Sequence, residues 1–363
     1  MIYRNCIRVV GFLSLSVICG WGQAALSQAL PQTRIVTEVK NEQRLAMEGT
    51  TPALVALAAE TGRLPGGQNL GRMILQLAPT DEQKQAAEKL VSDLHDPSSP
   101  SFHKWLTPSE FGQKFGVTEQ DATKVQQWLE SQGLTVHEVA QSRSYIVFSG
   151  TVSQVELAFA TQMHSYEYKT KKFISNSTDI QIPAALHPVV QGVVRLHSDP
   201  RAATAYMGTK IHFKKTGSQF TFDDGSHYMT PADFAKIYNV QPLYDAGING
   251  TGQTIAIVGR SNIDVQNVRD FRSVLGLPAN DPDIIVNGDD PGQNSDMQEA
   301  MLDVTWSGAV APMAQIKFVV SQSNFSDGVD VSAAYIVDHN LASIMSTSYG
   351  SCEDSLGKVQ NAF

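Results

Sequence analysis

Runs of lysine and arginine are missing from this 363-residue sequence, and charged side chains make up only 17% of it. With 36 acidic against 27 basic residues the net charge is −9, so there is no basic stripe to follow a phosphate backbone. That argues against a nucleic-acid partner. Long apolar runs are also lacking: the stretch from Val9 to Trp21 stops short of the ~20 residues that a membrane-spanning helix needs. Cysteine is scarce. Of three, Cys6 and Cys19 lie near the N-terminus and Cys352 stands alone near the other end, an odd thiol that implies an absent partner. A phosphate-cradling loop is absent too, because the glycines of Gly247-Ile248-Asn249-Gly250-Thr251-Gly252 precede a strand instead of following one.

What is present begins with a leader. Arg4 and Arg8 supply a positive start, Val9 to Trp21 an apolar centre, and Ser27-Gln28-Ala29 a small-x-small cleavage site. Residues 1–29 therefore read as a signal peptide, and the protein as secreted and extracellular. Ile18 is bulky where a lipoprotein leader needs a small residue before Cys19.

Residues 30–198 read as one α+β domain. Met73 to Leu77 is an apolar strand, and Thr80 with Gln83 has the spacing of a capping box at the start of a helix reaching Leu94. Thr107-Pro108 opens a short helix, and Thr118 to Gln132 a longer amphipathic one closed by Gly133. Leu134–Ala140 and Ser144–Ser149 are strands, Val152–Ala160 a helix, and Gln162–Tyr168 another strand. Helices inserted among antiparallel strands fit a ferredoxin-like plan. Residues 199–227 lose this periodicity and carry Lys210, Lys214, Lys215, Gly217 and Gly225, an exposed linker with a processing site.

From 228 to 363 strand and helix alternate. Thr254–Val258, Ile284–Val286, Gln315–Val320 and Ser343–Ser348 read as strands, with helices at Val265–Leu275, Ser295–Ala309 and Gly328–Asn340 between them. That alternation predicts an α/β unit, a doubly wound parallel sheet with helices on both faces. Three Asn-x-Ser/Thr sequences, starting at Asn176, Asn249 and Asn324, are glycan acceptors if the host glycosylates.

The chemistry concentrates in Glu299 and Asp303. They stand one helical turn apart, and the helix is apolar on nearly every side. Ser295 with Gln298 has capping-box spacing, which starts this helix just upstream. Two like charges there repel and lose hydration, so at least one carboxyl should keep its proton above the usual range. A sugar hydrolase is disfavoured, because carboxyls one turn apart leave no room for a glycosidic bond between them.

In order along the chain, these features resemble the sedolisin (serine-carboxyl peptidase) family, close to its kumamolisin-like members. The resemblance rests on Leu94-His95-Asp96-Pro97-Ser98-Ser99-Pro100-Ser101-Phe102-His103-Lys104-Trp105-Leu106-Thr107-Pro108 in the first domain, which looks like an activation prosegment. It continues in Gly252 to Val258, in Glu299 through Asp303 to Pro312, and in Ser346-Thr347-Ser348-Tyr349-Gly350 with Glu353. The resemblance implies a subtilisin-like fold for the second unit, of which this chain would hold the first part. It implies that Glu299 is the general base, that Asp303 is the supporting carboxyl, and that Ser348, Tyr349 and Gly350 line the substrate cleft. Tyr349 stands where kumamolisins often carry tryptophan. The nucleophilic serine, the oxyanion aspartate and the calcium loop of the family are expected downstream of Phe363, so the chain reads as an incomplete zymogen, inactive by itself.

Implied partners are protein or peptide substrates, and the prosegment against its own peptidase unit; no nucleic acid or membrane is implied. An alternative is a secreted prosegment module that inhibits a related peptidase or helps it fold. Carboxyls in place of histidine fit acid conditions: a histidine base is protonated well below its pKa of about 6.5, whereas glutamate still accepts a proton near pH 4.

Overall fold

The computed structural model describes residues 31–169, 171–194, 196–198, 202–203, 220–221, 227–323, 327–350 and 359. The leader, most of the linker, Cys352, Glu353 and the Asn324 acceptor lie outside them. Among the described residues no helix is long and apolar enough to cross a membrane.

The first unit is ordered as β1 (Ala59–Arg63), β2 (Asn69–Leu77), α1 (Asp81–His95), α2 (Pro108–Phe115), α3 (Glu119–Ser131), β3 (Thr135–Val139), β4 (Tyr145–Thr151), α4 (Val152–Phe159), β5 (Met163–Tyr168), β6 (Lys171–Asn176) and β7 (Val190–Val194). Strands β3, β4, β2 and β7 form, in that order, an antiparallel sheet; β1, β5 and β6 form a second. The capping boxes at Thr80 and Thr107 form as their spacing predicts, each hydroxyl accepting the N–H three residues on.

The apolar run of β2 has a purpose on each face. Met73, Leu75 and Leu77 enter the main core with Val125, Trp128 and Leu129 of α3 and Val155 and Phe159 of α4. Ile74, pointing the other way, joins Tyr145, Val147 and Val194 against the second unit. At the end of β6 Asn176 is buried, its amide donating to the Thr178 carbonyl at 2.9 Å, so the first glycan acceptor is closed to modification.

In the second unit, β9 (Thr254–Gly259), α5 (Val265–Val274), β10 (Asp283–Val286), α6 (Met297–Val310), β11 (Gln315–Val320), α7 (Gly328–Asp338) and β12 (Ile344–Ser346) alternate as expected. A short β13 (Tyr349–Gly350) follows, and β8 (Ala202–Ala203) precedes the unit. The sheet is parallel, in the order β10-β11-β9-β12. Ile257, Phe318 and Val320 face α5 and α6, whereas Ala256, Val258 and Val319 face α7, so both faces are covered.

The two units meet along α7. Val331 and Ala334 pack on the outer face of the first sheet, and the Tyr145 hydroxyl donates to the Ala334 carbonyl at 3.0 Å. The Asp338 carboxylate accepts the N–H groups of Gln141 and Ser142 at 2.7 and 2.9 Å. Burial, with Asp338 and Glu138 nearby, pushes the Tyr145 phenol far above its ordinary pKa, so it stays neutral in this seam.

Candidate functional site

The helix carrying the two carboxyls starts later than its sequence suggests. It runs Met297–Val310, with Asp296 at the cap and no side-chain cap bond, so the Ser295–Gln298 capping box does not form. Tertiary contacts override it. Asn294 accepts the Asp296 N–H at 2.9 Å and donates to the Arg260 carbonyl at 2.9 Å, stitching this entry to the loop after β9. The Asp296 carboxylate turns to Arg260, accepting from Nε at 2.6 Å.

Glu299 is buried, and Asp303, one turn on, is half-buried. Ser348, just before β13, donates its hydroxyl to Asp303 Oδ1 at 2.8 Å. Among the described residues, Asp303 Oδ2 is buried with no hydrogen-bond partner. Burial pushes the Asp303 carboxyl up to about 6; the Ser348 hydrogen bond opposes the shift and the neighbouring Glu299 charge adds to it.

Beside the pair lies a buried cation. Arg260 reaches Asp296 on one side and Asp327, the cap of α7, on the other, at 3.2 Å from Nη1. Its guanidinium also sits 4.7 Å from the centre of the Tyr349 ring. Burial opposes the charge, yet Asp327 and Asp296 together hold Arg260 more firmly protonated than a free arginine. Burial foremost, then Asp296, keeps the Tyr349 phenol neutral, and among the described residues its buried hydroxyl has no hydrogen-bond partner.

The structure thus brings Glu299, Asp303, Ser348 and Tyr349 to one locality, with the exposed Gly350 next along β13. No spacing rule pointed to Arg260, Asp296 or Asp327, which come from three separate loops. One further strand belongs here. Ala202–Ala203 (β8), which follows the first unit, pairs antiparallel with β13, Ala202 opposite Gly350 and Ala203 opposite Tyr349. Chemically, the site offers a proton acceptor in a dry setting, a second carboxyl poised to hold a proton, and a backbone edge that receives extended chain.

The shifted Asp303 has a testable consequence. A folded-state value raised from 3.8 to about 6 means the folded chain binds this proton more tightly than the unfolded one. The resulting stabilisation is present below the ordinary carboxyl range and is lost as pH rises through about 6. Denaturant unfolding of the chain and of Asp303→Asn, followed from pH 4 to 8, should show the parent losing stability relative to the variant across that window. A difference that stays constant with pH would mean Asp303 is unperturbed.

Comparison with known proteins adds the following. Residues 58–199 match the family model described as Pro-kumamolisin, activation domain. Kumamolisin of Bacillus sp. (strain MN-32) is 23% identical over 335 residues, covering 87% of this chain and 57% of the relative. Xanthomonalisin of Xanthomonas sp. (strain T-22) is 26% identical, over 74% of this chain and 34% of its own length. Sedolisin of Pseudomonas sp. (strain 101) is 24% identical, with coverages of 84% and 52%. The chain thus spans between about a third and somewhat over half the length of these relatives.

Proposed function

The chain is a sedolisin-family homologue with a pro-kumamolisin activation domain, and on that premise we propose that it is the precursor part of a secreted, acid-acting serine-carboxyl endopeptidase. In this reading Glu299 is the general base that takes the proton of an attacking serine hydroxyl and returns it to the leaving amine. Asp303, its carboxyl raised by burial, holds the companion proton beside it. Ser348, Tyr349 and Gly350 form the substrate edge. The first unit follows a ferredoxin-like plan, supported by its β2-α-β3-β4-α4-β7 order and its β3-β4-β2-β7 sheet. The parallel sheet of the second is the start of a subtilisin-like one.

The observation that carries this reading is the β8–β13 pairing. The segment leaving the activation domain pairs with the edge where this reading puts a substrate chain, next to Ser348, which precedes β13 and binds Asp303. Such an arrangement both blocks the cleft and presents the linker for cutting. The attacking serine is left unassigned in this reading.

Acid processing is the test. In a chain extended to its relatives' full length, shifting from pH 7 to pH 4 should produce a cut between Arg201 and Tyr228, read by N-terminal sequencing of the larger fragment. Full peptidase activity in an uncut precursor, or a rate maximum at pH 8, would overturn the reading. The alternative, the first unit inhibiting a related peptidase in trans, is favoured only by the buried contacts along α7. It predicts potent inhibition when residues 30–198 are added to an active relative.

A further inference from the structure

At the seam between the two units, away from the carboxyl pair, three possible metal ligands converge. Glu138 comes from β3, and Asp338 and His339 come from the C-terminal end of α7. One donor atom from each side chain lies within 4.8 Å of the other two. A first-row ion with nitrogen and oxygen ligands at ~2.0–2.2 Å sets those ligands about 3.4 Å apart in a tetrahedron. Closing the cluster therefore takes side-chain shifts of about 1 Å.

Two of the three side chains are already oriented. Asp338 is buried, and two backbone N–H groups from the Gln141–Ser142 turn fix its carboxylate. An ionised carboxylate has about four lone-pair directions, so capacity remains for a cation. The His339 ring stacks on Tyr335 with centroids 3.9 Å apart, and its Nδ1 lies 3.1 Å from the Tyr335 carbonyl. The same Nδ1 is the nitrogen that faces Glu138, so an ion bound through it would replace the contact with that carbonyl, and stacking on Tyr335 is what holds the ring. Glu138 is half-buried, and its carboxylate is 3.8 Å from His339 Nδ1.

Electrostatics favours a cation at this place. Two carboxylates stand together against one imidazole, with Arg72 the other charged group facing Glu138. The carbonyl end of α7 adds negative partial charge, and no basic residue occupies its last turn. We propose that Glu138, Asp338 and His339 form a divalent-cation site of the zinc type, which ties the activation domain to the peptidase unit. One nitrogen and two carboxylate oxygens make a borderline donor set, and water completes the fourth position of an open site. Because one ligand comes from the first unit and two from the second, the ion acts as a removable clasp. The site depends only on how the two units pack, so it stands or falls separately from the peptidase assignment.

Zinc titration of the full chain, stripped with EDTA and carrying no histidine tag, tests this. Calorimetry at pH 7.5 should give one saturable site. Glu138→Gln in one unit and His339→Ala in the other should each weaken it by about 100-fold or more, since loss of even an outer-shell partner costs about 10- to 100-fold. Zinc should also slow hydrogen exchange at the Gln141 and Ser142 amides in the parent and not in either variant. Unfolding curves in EDTA that match the parent's would show both variants folded. Absence of saturable binding in the parent overturns the proposal, as does binding equally tight in both variants. Destabilisation by His339→Ala with no zinc effect on the parent would leave only a His339–Glu138 ion pair.

Discussion

Glu299→Gln is expected to lower peptide hydrolysis about a thousandfold or more in a chain of its relatives' full length. The amide keeps the shape and volume of the carboxylate in a buried position, so packing changes little, but it has no lone pair basic enough to accept a proton. General-base loss alone costs about 10²–10⁴, and catalytic groups that act as a unit lose most of their effect together. The measurement is kcat/KM on a protein substrate at acid pH, with a melting curve to show that the variant folds. Processing of the linker should stop as well, because the same group would serve both reactions. A variant that retains more than a tenth of the parent rate would remove Glu299 from the role of base.

The second large effect is on stability. Arg260→Met should destabilise the second unit by about 3–5 kcal/mol, because it removes the guanidinium, of 7% side-chain exposure, that neutralises both Asp296 and Asp327. The worth of the ion pairs themselves is a different matter, since their attraction is offset by desolvation. Adding Asp296→Asn and Asp327→Asn to Arg260→Met should therefore restore much of the loss. Lysine is a poor substitute at this position, since one ammonium cannot face both acids and the Tyr349 ring as a planar guanidinium does. Urea unfolding of the single and triple variants reads this directly. A loss below about 1 kcal/mol for Arg260→Met would show that the acids find water once the arginine is gone.

The two effects share a cause. Arg260 joins the entry of α6, the cap of α7 and the ring of β13, the elements around the carboxyl pair. Disturbing it should shift the titration of Asp303 as well as the melting point.

Short-range signals carried much of the architecture. Thr80 with Gln83, and Thr107 with Glu110, satisfy the first backbone donors of their own helices, so the helix starts follow from neighbours in sequence. The apolar run Gln315–Val320 needed only its own composition to be read as a buried parallel strand. The same reasoning failed at Ser295. There the local capping box competes with Asn294 and Arg260, and contacts across more than 30 residues win. The strands Lys171–Asn176 and Val190–Val194 escaped notice because polar or glycine residues interrupt their patterns; sheet partners supply their order.

The candidate site divides the same way. That Glu299 and Asp303 share a helix face one turn apart follows from the chain alone, since 3.6 residues per turn permits nothing else. The raised Asp303 carboxyl, the Ser348 hydroxyl that meets it and the Arg260 cluster were decided only when distant segments packed, because hydration and charge depend on what surrounds a group and not on its neighbours in sequence. Likewise, nothing local places Ala202–Ala203 on Tyr349–Gly350: a strand pairing between residues 146 and 148 positions apart is written in tertiary contacts, where backbone groups must find partners wherever the fold leaves an edge.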